Sequence, residues 1–198
     1  MKELPMYSYR STIGLFIQPY FFMEIYFEYN DESVRRSIDI LRPFLPGIPE
    51  SMHFRYPEEL LAGKDNSSVI ENDDHLYDAS NMKNALAYLW REKRNVLSNA
   101  LVAYCEKGGI SLYEEYSCAM TFYGPYGFYE LPCNIFLNVA MGKDVEFLFE
   151  TMLHELLHIV LNNQLENLPY VEREKMVDNT FVKIWGDEFP SYEKQLFE

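Results

Sequence analysis

Between residues 21 and 29 the chain alternates with the period of a half-buried strand. Phe21, Met23, Ile25, Phe27 and Tyr29 fall on one side, and Phe22, Glu24, Tyr26 and Glu28 on the other. Residues 13–18 read as a strand that pairs with it. Asp31 then caps a helix that turns Val34, Ile38 and Leu41 inward, and Pro43 and Pro46 stop it. From 62 to 78 the apolar pattern gives way to Gly, Lys, Asp, Asn and Ser, the composition of a surface loop or linker. A long helix follows over 80–107, with Leu86, Leu89, Val96, Leu97 and Leu101 as apolar positions and Gly108 and Gly109 ending it. Two further strands are expected at 118–123 and 134–139, separated by a loop over 124–133 rich in Gly, Pro and aromatic residues.

Beyond residue 140 the period becomes helical. Asp144 is placed to cap a helix whose apolar run reaches Leu161, with Asn162, Asn163 and Pro169 marking the break. The final helix carries an apolar stripe through Val171, Val177, Phe181 and Ile184. This pattern predicts an α+β fold, a small sheet packed on the long backing helix and on the helix after Asp144. It divides the chain into a strand–strand–helix region over 1–62, a linker over 63–78 and a main region over 79–198, with no internal repeat.

Charge and cysteine usage narrow the functions open to such a domain. The 31 acidic and 17 basic residues give a formal charge of -14, spread along the chain. That field repels phosphate backbones and anionic membrane surfaces and attracts cationic peptides at low salt. Cys105, Cys118 and Cys133 have no CxxC spacing, which argues against a disulfide framework and a thiolate zinc site and for a reducing compartment. No segment reaches membrane-spanning length. The expectation is a soluble, cytoplasmic protein that acts on a peptide or protein and binds neither nucleic acid nor membrane.

The chemistry is concentrated in His154-Glu155-Leu156-Leu157-His158, an HExxH on a predicted helix. Residues four apart share a face, so both imidazoles reach one ion, and Glu155 stands about 100° round the axis beside an open coordination position. Zinc held by three protein ligands keeps a position for water, whose pKa falls towards about 7, and the adjacent carboxylate takes its proton. Two imidazoles left unpaired in so apolar a helix would be costly. Downstream, Glu174 and Asp178 lie one turn apart on the apolar stripe of the last helix, whereas Glu172, Arg173 and Lys175 project from other faces. Ligating a metal and accepting a hydrogen bond from an imidazole would offset the burial of these two carboxylates.

His154, Glu155, His158, Glu174 and Asp178 together resemble the gluzincin group of zinc metallopeptidases, whose pattern is HExxH followed by a helix bearing Glu-x-x-x-Asp. The resemblance implies a zincin-like fold, one zinc ion with Glu174 as third ligand, and Asp178 as the carboxylate that orients His154. The Glu-Arg-Glu run at 172–174 and the compact size are similar to the small bacterial peptidases of the ImmA and IrrE kind. It also implies that the strand at 134–139 is the sheet edge along which an extended peptide lies. The likeness spans residues 134–185 and departs from the pattern twice. Fifteen residues separate His158 from Glu174, which is short for the group, and Val177 replaces a small residue. Glu172 and Glu166 therefore stand as alternative third ligands, with His53 and His75 more remote ones. Manganese or iron could replace zinc in such a donor set. The acidic residues Asp73, Asp74 and Asp78 lack the spacing of a calcium loop. Tyr123, Tyr126, Tyr129 and Tyr170 are near enough in sequence to offer a phenol to an oxyanion, and none is assigned that role. The expected activity is endopeptidase-type hydrolysis with Glu155 as general base. The rivals are a catalytically silent zincin-like interaction module and a zinc-dependent hydrolase of a non-peptide amide.

Overall fold

The computed structural model describes residues 23–47, 55–56 and 78–194. The strand expected at 13–18, His53, His75, Asp73, Asp74 and the linker up to residue 77 lie outside them.

Strand β1 (Glu24–Glu28) leads into helix α1 (Asp31–Leu41), which continues as a 3-10 turn over Arg42–Gly47. The cap is Asn30, not Asp31. Its side chain accepts from Ser33 N at 2.8 Å while the Ser33 hydroxyl accepts from Asn30 N at 3.2 Å. Ser33, three residues on, makes that reciprocal pair available to Asn30 alone, and Asp31 becomes a first-turn charge favoured by the helix dipole. Helix α2 (Ala79–Gly108) is capped by Asp78 and ended by Gly109, whose φ of 66° is a left-handed conformation that costs glycine nothing. Its buried line is Leu86, Trp90, Leu97, Leu101 and Cys105. Val96, expected on that line, is 54% exposed because it sits about 100° round from Leu97.

The sheet has the order β1-β2-β4-β3, from β2 (Glu115–Thr121), β3 (Gly127–Glu130) and β4 (Asn134–Asn138). β1, β2 and β4 run parallel and β3 is antiparallel to β4. Two expectations are corrected here. The stretch 124–133 contains a strand, and β4 lies inside the sheet, flanked on both sides, so the edge next to it among the described residues is β3. A four-residue strand that is half-buried on both faces shows no polar alternation by which to recognise it.

Side-chain alternation assigns the two faces. Ile25, Tyr116, Cys118, Met120, Ile135, Leu137, Gly127 and Tyr129 follow one another through the strand registers on one face, over which α2 and α3 (Val145–Val160) pack. On the other face Phe128 stacks on Phe136 at 4.8 Å, and Thr121 meets Ser37 of α1 at 2.6 Å. Helix α3 is capped by Asp144, whose carboxylate accepts from Phe147 N at 2.8 Å. Every residue from Thr151 to Val160 is buried, as expected of a helix apolar on all sides. A short turn of helix, α4 (Asn162–Leu165), returns the chain to α5 (Tyr170–Trp185). The buried Leu165 anchors that turn, and Trp185 Nε1 donates to Leu97 O at 3.1 Å, tying α5 to α2. The three cysteines are free. Burial pushes the Cys105 thiol up to about 12 and Cys118 higher still, so neither is a ready thiolate. No helix among the described residues is long and apolar enough to cross a membrane.

Candidate metal centre

Helix α3 presents His154 and His158 one turn apart, and α5 brings Glu174 against them. His154 Nε2 and His158 Nε2 are 3.1 Å apart, and Glu174 Oε2 lies 3.1 Å from the first and 3.2 Å from the second. All three side chains are buried. Three atoms that can each offer a lone pair thus converge on one point away from water. Tetrahedral ligands at about 2.0–2.1 Å from zinc stand roughly 3.3 Å apart, so the observed triangle fits such an ion with little adjustment. Glu172 and Glu166, the alternative third ligands, are exposed and turned elsewhere. Glu172 pairs with Lys175 at 3.4 Å, and Glu166 is bonded by Asn167. The fifteen-residue connection is sufficient because α4 tightens it with bonds from Leu165 N to Leu161 O and Glu166 N to Asn162 O.

Glu155 is 7% exposed. Burial raises its pKa and the two imidazoles draw it part of the way back, which leaves a carboxylate more basic than one in water. Above it lies Gly127 of β3, where a Cβ would stand 2.6 Å from Thr151 Cγ2 and 3.0 Å from Glu155 Cγ. Only a residue without a side chain lets the edge strand pass this close to the helix. Two residues on, the Tyr129 ring stacks on His158 with centroids 5.2 Å apart and planes 11° apart. Tyr170, one turn before Glu174, is half exposed, and its hydroxyl is pushed up to about 12, first by burial and then by the charges of Glu174 and Glu155. Burial and then Glu155 push the Tyr129 hydroxyl in the same direction, so both phenols keep their hydrogens at neutral pH. Tyr123 is buried near Phe122 and Arg55, and Tyr126 packs on Phe147.

Asp178 faces His154 as the resemblance implies, but at ion-pair distance rather than through a short direct hydrogen bond. Its Oδ1 is 3.5 Å from His154 Nδ1, and the hydroxyl of Tyr192 stands between, donating to Asp178 Oδ1 at 2.7 Å and lying 2.8 Å from His154 Nδ1. Burial and then Asp178 hold that phenol far above its ordinary range. Tyr192 was missed in the sequence, although Phe181, Trp185, Phe189 and Tyr192 continue the aromatic stripe of α5 at helical spacing beyond its end. His158 Nδ1 and Arg173 Nε are buried with no hydrogen-bond partner among the described residues.

The metal-free site has a definite pH window. Burial would raise the Glu174 carboxyl, but the two imidazoles packed against it overcome that and hold the pKa at about 2, below its ordinary 4.5. Its contribution to stability is complete above pH 4.5 and is lost as pH falls towards about 2. Burial would lower His158, but Glu174 and Glu155 raise it above its ordinary 6.5, so its contribution is complete below 6.5 and fades as pH rises through the raised value. Chemical denaturation of the metal-free chain should therefore show this pair most stabilising between pH 4.5 and 6.5. Glu174→Gln should flatten both limbs, and an unchanged profile would mean that the pair does not form in solution.

Compared with protein-family models, curated proteins and solved structures, the chain matches none.

Proposed function

We propose that this protein is a zinc-dependent metallopeptidase of zincin-like architecture, with His154, His158 and Glu174 as the metal ligands. The observation that carries this reading is the convergence of two imidazole nitrogens and a carboxylate oxygen within 3.1–3.2 Å, with a second buried carboxylate, Glu155, beside them. Zinc bound there would supply a Lewis acid for the scissile carbonyl and lower the pKa of water.

The chain's own residues do the rest. Glu155, made more basic by burial, accepts the proton of the attacking water and later delivers it to the leaving amine. Tyr129 and Tyr170 offer phenolic hydrogens at the site, where negative charge would develop. β3 forms the edge of the sheet beside α3 and pairs with no further strand among the described residues, so its outer backbone groups would receive an extended peptide as an added strand. The acidic character of the chain favours basic peptides. The carboxylate next to the imidazoles supports hydrolysis over a silent interaction module, because a purely structural metal needs no such base.

The test is metal content by elemental mass spectrometry on purified chain, with His154→Ala and Glu174→Ala as controls. About one zinc per chain, lost in both variants, is the expected result. A chain that takes up no zinc even when it is supplied would end the peptidase reading in favour of an interaction module.

A further inference from the structure

We infer that Tyr192 is a positioning residue that links Asp178 to His154, so that the carboxylate orients the imidazole through a phenol rather than by direct contact. The inference rests on the zinc reading for its purpose but on geometry for its substance. At 3.5 Å the Asp178 Oδ1 to His154 Nδ1 separation is too long for a useful hydrogen bond, whereas 2.7 and 2.8 Å through the hydroxyl are both good ones.

Proton accounting fixes the direction. A phenol has one hydrogen, and Asp178, an acceptor, takes it. The phenol oxygen is then left to accept, so His154 Nδ1 carries the hydrogen and donates. His154 Nε2, the atom aimed at Glu174 and His158, is left with its lone pair. The chain Asp178, Tyr192, His154 thus selects the tautomer that can ligate a metal.

The hydroxyl is held there by the segment that follows α5. Tyr192 N donates to Phe189 O at 3.1 Å and Phe189 N to Trp185 O at 3.0 Å, so the chain folds back in tight turns. The Tyr192 ring then stacks on Phe181 at 3.8 Å with planes 10° apart, and Lys194 Nζ donates to Asn179 Oδ1 at 2.7 Å. His158 has no comparable support. Its Nδ1 is unpartnered among the described residues, and its ring is steadied by the stack on Tyr129. The tautomer of only one of the two histidines is therefore set by a hydrogen-bonded chain.

Tyr192→Phe keeps the ring stack and removes the link. In the metal-free protein, the 15N shifts of histidine-labelled chain should report His154 as the Nδ1–H tautomer in the wild type and as a mixture in the variant. Competition with a chromophoric chelator should show zinc affinity reduced about 10–100-fold. Adding Asp178→Asn to Tyr192→Phe should then cost little more, because both act through one chain. An unchanged tautomer in the variant, zinc affinity within about twofold of the wild type, or full multiplication of the two effects would each overturn the inference. A tautomer change in a chain that never binds zinc would instead leave the link standing and remove the metal reading.

Discussion

Glu155→Gln is expected to leave one zinc bound per chain and to reduce peptide hydrolysis by about 10²- to 10⁴-fold, the usual worth of a positioned general base. The substitution keeps the shape of a side chain packed under Gly127 and removes only its ability to accept a proton. The loss should fall on kcat, with KM nearly unchanged, because the buried Glu155 is assigned the water and no part of the peptide held along β3. Stability should hold or rise slightly, since a carboxylate made unfavourable by burial is replaced by a neutral amide. The assay pairs elemental analysis with cleavage of unstructured cationic peptides at low salt. A zinc-loaded variant that keeps every function of the wild type would sink the catalytic role and leave the interaction module. Cleavage of other amides but not peptides by the wild type would redirect the reading to a different hydrolase.

The second large effect is expected from a methyl group. Gly127→Ala places a Cβ where Thr151 Cγ2 stands at 2.6 Å, Glu155 Cγ at 3.0 Å and Glu155 Oε1 at 3.2 Å. Real Cβ atoms do not approach a neighbour that closely, so either β3 lifts from α3 or Glu155 and Thr151 turn aside. Both responses disturb the relation between the base and the strand assigned to substrate, and displacement by about 1 Å typically costs 10²-fold in rate. The three atoms nearest the added Cβ belong to Thr151 and Glu155 and none to His154, His158 or Glu174, so zinc content should be unchanged. Hydrolysis falling about 100-fold with full metal loading is the expected pattern. Loss of zinc would show that β3 supports the ligands rather than the substrate, and undiminished activity would mean that the strand has room to shift.

Legibility differed between the candidate ligands and their supports, for physical reasons. The imidazole pair is written in a spacing that any helix converts into a shared face, and α3 is apolar enough to be recognised as buried. Glu174 was separable from Glu172 because only one of them falls in phase with Val177 and Phe181, and the structure buries that one and exposes the other. Val171 was placed on the same stripe, yet it is 39% exposed, since the stripe leaves the core before the first turn of α5. Asp178 was recognisable as an inward carboxylate, but its partner was not, because Tyr192 belongs to an irregular turn whose path depends on aromatic packing rather than on period. The choice between Asn30 and Asp31 turned on Ser33, whose hydroxyl completes the reciprocal bond. β3 was hidden because its residues are half-buried on both faces, and with it the edge of the sheet was misplaced by one strand. Local periodicity reveals faces, while sheet order depends on pairings between distant segments.

That distance between segments has a kinetic side. The three candidate ligands fall between residues 154 and 174, within one helical hairpin closed by a single turn of α4. The sheet is different. Glu24 pairs with Glu115 across about ninety residues of chain, and β2 pairs in parallel with β4. Closing so long a loop carries an entropy penalty that a short hairpin does not, so parallel pairing at this separation forms slowly. The α3–α5 hairpin should therefore assemble while the β1 side of β2 is still bare. A metal ion captured at that stage would act as a template, holding the hairpin in its final geometry until β1 arrives to close the sheet.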